Sequence, residues 1–324
     1  MPVRVYSPTP PNLRRLAVAL RHGELVAIPT ETVYGLAANA LDARACRAIF
    51  RAKGRPANDP LIVHVLDLAH AEKLAEFNAE ARKLARQFWP GPLTLVLPKK
   101  PSVPGIVTSG SPTVAIRAPA HPLARRLLRL AGIPLAAPSA NLFGYISPTT
   151  ADHVVAGLGR RILHVLDGGT CQIGVESTIV DLTDPAKPRI LRPGAITAGQ
   201  LQKVLGVPVG RLTRRKAAAD PLAPGMMARH YSPRTPLVLR EPVAKPARKI
   251  AAVFLRKPAG QTAPNIFWLS RRGALAEVAR NLYGVLRQAD ASGFAQIQVE
   301  PLPADAGGLA AAINDRLHRA AAKV

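Results

Sequence analysis

The residues best equipped for chemistry in this 324-residue chain fall in six short segments. Pro29-Thr30-Glu31-Thr32-Val33-Tyr34-Gly35-Leu36 places two threonines, a glutamate and a tyrosine after the apolar run Leu25–Ile28. Ligand sites in open α/β sheets gather at such strand ends, although turn-capping hydroxyls look the same. Lys53-Gly54-Arg55 brings two cations to one helix end, followed by a Pro-bounded loop holding Asp59 and then by His64. Two cations so placed can meet one phosphate group; Lys53 also suits the negative end of a helix dipole, and His64 on an apolar strand suits a core. Arg117 interrupts the apolar strand Thr113–Pro119, and alternation puts it on one face with Thr113 and Ala115. Its charge is either wetted or aimed at an anion. Ala136-Ala137-Pro138-Ser139-Ala140-Asn141, Glu176-Ser177-Thr178-Ile179-Val180 and Leu191-Arg192-Pro193-Gly194 complete the set.

Familiar catalytic templates are missing. There is no GxxxxGK[ST], no GxGxxG after a strand, no GxSxG and no HExxH. Cys46 and Cys171 have no metal-ligand spacing, and Cys46 falls on a helix face with Ile49 and Phe50. The segments therefore offer cations and hydroxyls that bind and neutralise anions, with no activated nucleophile.

These segments need rigid elements to carry them. Apolar spacing predicts helices over 12–22, with Asn12 as N-cap, and over 43–53 behind Asp42. Residues 67–88 read as a helix broken near Asn78, and 121–132 as another. Ser147-Pro148 reads as N-cap and N1 of the next helix, and Thr197 begins one that runs to Leu205. Strands are expected at 25–28, 61–65, 93–98, 113–119 and 134–138, then within ILHVLDGG, ESTIVDL and PRILRPG. Several strands follow each other directly, which implies a twisted mixed sheet in an α/β domain over 1–205. Residues 206–236, rich in Pro, Gly and charge, read as a linker. Residues 237–324 alternate strands and helices and read as a smaller open, Rossmann-like α/β domain.

Hydrophobic residues make up 48% of the chain, enough for two cores, and aromatics only 4%. No apolar run is long enough to span a bilayer, and Met1–Asn12 lacks a signal-peptide pattern. Together with the two isolated cysteines this suggests a cytoplasmic protein. The net charge of +24 favours polyanions or simply a soluble Arg-rich surface. A purely RNA-binding role would call for aromatics interleaved with cations, and the chain shows no such stripe.

Taken in order, PTETVYGL, KGRP…PLIVHV, TVAIRAP, APSAN, ESTIV and LRPG resemble the YrdC/YwlC family of threonylcarbamoyl-AMP synthases over residues 10–205. KGR and SAN match its K-x-R…S-x-N signature. Pro224-Gly225-Met226…His230-Tyr231-Ser232-Pro233 and the following domain resemble the two-domain members. The resemblance implies condensation of L-threonine, bicarbonate or CO2 and ATP, with Mg2+, to threonylcarbamoyl-AMP and pyrophosphate. The product would pass to a tRNA threonylcarbamoyl transferase complex, with direct tRNA binding a further possibility. It implies that Thr32, His64, Arg117, Ala137 and Ser177 hold threonine, with Arg117 on the carboxylate and Ala137 acting through backbone. Arg55, Asp59, Thr113, Ser139, Ser147, Arg192 and Tyr231 would line the ATP site, Tyr231 as a lid. Lys53, Arg55, Ser139 and Asn141 would form the catalytic signature. No metal ligand is assigned, magnesium being held mainly through the ATP phosphates. A nucleotidyltransferase acting on a different amino acid is the nearest rival, since one methyl group discriminates only modestly.

Overall fold

The computed structural model describes residues 2–211, 230–243, 245–260, 263–303 and 306–322. Within them, eleven strands form the larger sheet: β1 (Arg4–Tyr6), β2 (Val26–Ile28), β3 (Gly35–Asn39), β4 (Ile62–His64), β5 (Leu93–Pro98), β6 (Thr113–Arg117), β7 (Leu135–Ala136), β8 (His164–Leu166), β9 (Thr178–Asp181), β10 (Arg189–Arg192) and β11 (Gly210–Arg211). Their spatial order is β1-β8-β2-β3-β7-β4-β6-β5-β9-β10-β11. The sheet is mixed, as expected: β4 runs parallel to β6, for example, while β5 is antiparallel to β6 and parallel to β9. A second sheet of β12 (Leu237–Leu239), β13 (Ile250–Arg256), β14 (Ile266–Ser270) and β15 (Gln296–Val299) is parallel throughout, in the order β12-β15-β13-β14. This is the smaller open α/β domain.

Helices α1 (Pro10–Arg21), α2 (Ala43–Lys53), α3 (Leu68–Ala71), α4 (Ala79–Phe88), α5 (Gly105–Thr108), α6 (Pro122–Ala131), α7 (Ala151–Leu158) and α8 (Ala198–Leu205) accompany the large sheet. Leu13, Leu16 and Leu20 of α1 join Leu127 and Leu128 of α6 over Val26 and Ile28. Helix α2 is set by its sequence at both ends. Asp42 accepts from the Arg44 and Ala45 amides, and Gly54 closes the helix at φ 62°. Its stripe of Ala45, Cys46, Ile49 and Phe50 is buried, and Lys53 continues that stripe into the interior. Each large apolar side chain so buried contributes about 1.5–3 kcal/mol.

Two helix starts differ from expectation. Thr9, not Asn12, caps α1, because Pro10 and Pro11 have no N–H and fill the first helical positions. Thr150, not Ser147, caps α7, accepting from the His153 amide. The Ser147 hydroxyl instead donates to Glu176 Oε1 at 2.6 Å.

Most of the expected linker, including Pro224, Gly225 and Met226, lies outside the described residues. From His230 the chain is described again, and Tyr231 already belongs to the core of the second domain. That core is built on α9 (Leu275–Ala291) and α10 (Gly308–Ala320), and it also takes in Val33, Ile146 and Val175 from the first domain. The two domains therefore share apolar surface next to the polar segments of the first.

Candidate active site

Parallel pairing of β4 with β6 sets His64 directly beside Arg117. Their face of the sheet also carries Ile62, Val96, Ala115, Ile179 and Leu191, a small apolar cluster. Over this face lies a cavity of about 40 Å³, walled by Thr30, Thr32, His64, Arg117 and Ala137, by Arg55, Ser139, Glu176 and Arg192, and by His230 and Tyr231.

Arg117 is buried, and each of its three nitrogens makes one contact within the protein. Nη2 pairs with Glu31 Oε1 at 2.6 Å, Nη1 donates to Thr32 Oγ1 at 3.0 Å, and Nε donates to the Gly91 carbonyl at 3.2 Å. Thr32 Oγ1 in turn meets Thr30 Oγ1 at 2.8 Å. Burial alone would raise the Glu31 carboxyl, but the Arg117 charge holds it below its ordinary range. Burial first, then the Arg117 charge, push His64 down to about 3 despite Glu31. At neutral pH the site therefore sets an uncharged imidazole beside a guanidinium.

The second half of the cavity is held by Lys53 and Arg55. Lys53 Nζ donates to the Ser139 and Asn141 carbonyls, each at 2.6 Å, which ties the K-x-R segment to the S-x-N segment. Burial, with the Arg55 charge second, pushes this ammonium well below its ordinary range. Arg55 donates to the Asp59 and Pro60 carbonyls at 3.0 and 2.7 Å. Its Nη2 also lies 2.9 Å from Asp59 Oδ1, an ion pair by distance whose angles fall short of a hydrogen bond. Burial raises Asp59 even so, with Arg55 and Lys53 opposing. Across the cavity, Arg192 donates from Nε to the Ser177 carbonyl and from Nη2 to Ser177 Oγ, both at 3.1 Å. Ser177 Oγ also meets Thr94 Oγ1 at 2.8 Å.

Of the expected site residues, Thr32, Arg55, His64, Arg117, Ala137, Ser139, Arg192 and Tyr231 reach the cavity wall. Ala137 is fixed by its amide, which donates to the Ile62 carbonyl at 3.0 Å. Lys53, Asp59, Asn141, Ser147 and Ser177 stand behind the wall, bonded to residues that form it. Thr113 shares the β6 face with Arg117 but sits at the other end of the strand, 2.9 Å from Ser111 Oγ. Tyr231 holds φ 63°, unusual for a bulky residue and costing about 1–2 kcal/mol. Its ring stacks 5.9 Å from Tyr283 and 5.3 Å from the Arg316 guanidinium.

Glu31 and Glu176 belong to the PTETVYGL and ESTIV segments and are functional candidates beyond those the motifs imply. Both are buried acids, Glu176 on the cavity wall and Glu31 behind it, each paired to an arginine far away in sequence. A buried carboxylate needs such a partner, so two glutamates inside otherwise uncharged motifs were the available signal.

Among the described residues no group of three or more His, Cys, Asp or Glu could cage a metal ion. Asp59 Oδ2 and Asn141 Oδ1 are buried oxygens without a hydrogen-bond partner. Oxygen donors of this kind fit a magnesium ion that brings phosphate and water ligands with it.

Residues 18–194 match the family model described as "Telomere recombination", and residues 196–322 match that of the "Threonylcarbamoyl-AMP synthase, C-terminal domain". The chain is 43% identical to the threonylcarbamoyl-AMP synthase of Pyrococcus abyssi, over 95% of this chain and 94% of that one. It is 42% identical to the Bacillus subtilis protein of the same name, over 96% and 93%. The crystal structure of P. abyssi Sua5 complexed with L-threonine superposes with a TM-score of 0.89 at 39% identity, covering 98% of each chain. E. coli YciO shares the fold of the first domain, with a TM-score of 0.53 at 21% identity over 59% of this chain.

Proposed function

The chain belongs to the threonylcarbamoyl-AMP synthase family of enzymes, and we propose on that footing that it joins L-threonine, bicarbonate or CO2 and ATP into threonylcarbamoyl-AMP, releasing pyrophosphate. The observation that carries this reading is one buried cavity walled by three guanidiniums, Arg55, Arg117 and Arg192, beside an uncharged His64. An amino acid and a nucleoside triphosphate both bring negative charge, and the wall supplies three cations that can meet it.

In this reading Arg117, Thr32 and His64 receive threonine. Arg117 meets its carboxylate, and the neutral imidazole leaves the amine free of a second cation. The amine must be uncharged to add to CO2, forming an N–C bond and losing one proton. A carbamate oxygen then attacks the α-phosphorus of ATP, an O–P bond forms, and the α–β bridging oxygen leaves with pyrophosphate. No protein nucleophile is required. The protein aligns two anions and neutralises charge as it moves to the leaving group. Arg55, Ser139 and Arg192 face the nucleotide, while Lys53 fixes Ser139 by its carbonyl. Asp59 and Asn141 would hold magnesium, which supplies charge neutralisation on the phosphates. His230 and Tyr231 stand on the cavity wall. Substrates enter as these two residues move off, and Tyr231 then covers the nucleotide and keeps water from the labile product.

The nucleotidyltransferase reaction sets the surroundings: a cytoplasmic enzyme whose product goes to a tRNA threonylcarbamoyl transferase complex, with the +24 charge available for tRNA itself. The test is pyrophosphate release from ATP by the full chain. Release that requires threonine and bicarbonate together is the expected result. Release that is indifferent to threonine would refute the reading.

A further inference from the structure

Glu176 has no assigned part in the reaction, yet it lines the cavity and is buried. Three groups converge on it. Ser147 Oγ donates to Oε1, Tyr283 Oη lies 2.9 Å from Oε2, and Arg316 Nε donates to Oε2 at 2.7 Å. Arg316 comes from α10 of the second domain, 140 residues away, and its side chain is fully buried.

The rest of the Arg316 fork reaches further. Nη1 donates to the Pro193 carbonyl at 2.9 Å, and Nη2 donates to the Glu176 carbonyl at 3.4 Å. Nη1 is also 2.9 Å from Asp315 Oδ2, and Asp315 in turn pairs with Arg319. One planar group thus ties together residue 176, which precedes Ser177, and residue 193, which follows Arg192. Ser177 and Arg192 sit where antiparallel β9 and β10 meet the site, and they bond to each other. The same guanidinium backs the Tyr231 ring. Little slack exists here, since a Cβ on Gly194 would stand 2.3 Å from the Thr178 amide.

We propose that Arg316 is a positioning residue for the synthase reaction: through one bidentate fork the second domain fixes the two first-domain segments that carry Ser177 and Arg192. Tyr283 assists from α9. The inference rests on the function proposed above, and it gives the second domain a part in the active site of the first. Lysine can keep the ion pair to Glu176 but cannot span to Pro193 at the same time, because it lacks the planar fork.

Steady-state constants for ATP and threonine, with the thermal midpoint, test this in the full chain. R316K is expected to raise both KM values about tenfold, change kcat less than threefold and keep a midpoint near wild type. Y283F, which removes one hydroxyl from Glu176, should raise both KM values two- to fivefold and serves if R316K folds poorly. Wild-type KM values in Y283F and in folded R316K, with any rate loss following the folded fraction, would overturn the inference while leaving the synthase reading intact. A wild-type protein without threonine-dependent turnover would overturn both.

Discussion

Arg117, on the cavity wall beside His64, forms a buried ion pair with Glu31. Both are under 5% exposed as residues and meet at 2.6 Å. Removing one partner from such a pair leaves an uncompensated buried charge, which costs about 3–5 kcal/mol. Arg117→Met should therefore lower stability by roughly that amount in urea unfolding and abolish threonine-dependent pyrophosphate release. Adding Glu31→Gln should recover most of the stability and none of the activity. Recovery of both would mean that Arg117 serves only the fold. At this scale the sequence was partly legible. A lone arginine in TVAIR and a lone histidine in LIVHV stand out against apolar neighbours, and both reach the cavity. The partner of Arg117 did not stand out, because Glu31 lies 86 residues earlier and only the strand order unites them.

Elements carry the site residues to one place through a few tight approaches. Gly194 is the sharpest case: a Cβ there would meet the Thr178 amide at 2.3 Å and the Glu176 carbonyl at 2.7 Å. Gly194→Ala must push apart β9 and the turn after β10. Overpacking of this kind costs ~1–3 kcal/mol. The expected outcome is a lower unfolding midpoint together with a raised KM for ATP, since Arg192 is two residues away. An unchanged KM would show that the turn does not set the Arg192 position. Helices were read well from sequence where capping and stripe agree, as in α2 between Asp42 and Gly54. Strand β3 was missed because Gly-Leu-Ala-Ala-Asn has no β-branched residue and is almost wholly buried, so it shows no alternation. β14, Ile-Phe-Trp-Leu-Ser, has strand composition and was also passed over, as was the short edge strand β1. The α7 start was misplaced because Ser147 and Thr150 both fit a cap, and a tertiary partner, Glu176, claims Ser147.

On the scale of the whole molecule, the second domain packs helices against the site loops of the first. Asp290 of α9 accepts from Tyr145 Oη and from the Thr235 amide, and Arg287 donates to the Ile146 carbonyl. None of this was readable in the sequence, where the second domain shows only a strand-and-helix alternation. The histidines of the interface and the site should make the molecule acid-sensitive. His64 is pushed down to about 3 and His153 to about 4, and His230 well below its ordinary value, burial being the first cause in each. Unfolded histidines bind protons near pH 6.5, so below that the unfolded chain takes up protons that the folded chain excludes. The histidine contribution should be complete above pH 6.5 and be lost as the pH drops, by up to ~1.4 kcal/mol per pH unit for His64 alone. Urea midpoints at pH 7.5 and pH 5 measure this, and His64→Gln should flatten the difference. A midpoint that rises on acidification would contradict the assignment.

In the proposed reaction one cavity joins an amino acid and a nucleotide through a carbamate. The most direct measurement is mass spectrometry of the products formed from ATP, L-threonine and ¹³C-bicarbonate. The expected product is a threonylcarbamoyl adenylate carrying one labelled carbon, formed with pyrophosphate and lost when Arg55 is replaced by alanine. An unlabelled threonyl adenylate, or ATP cleavage with no adduct, would contradict it.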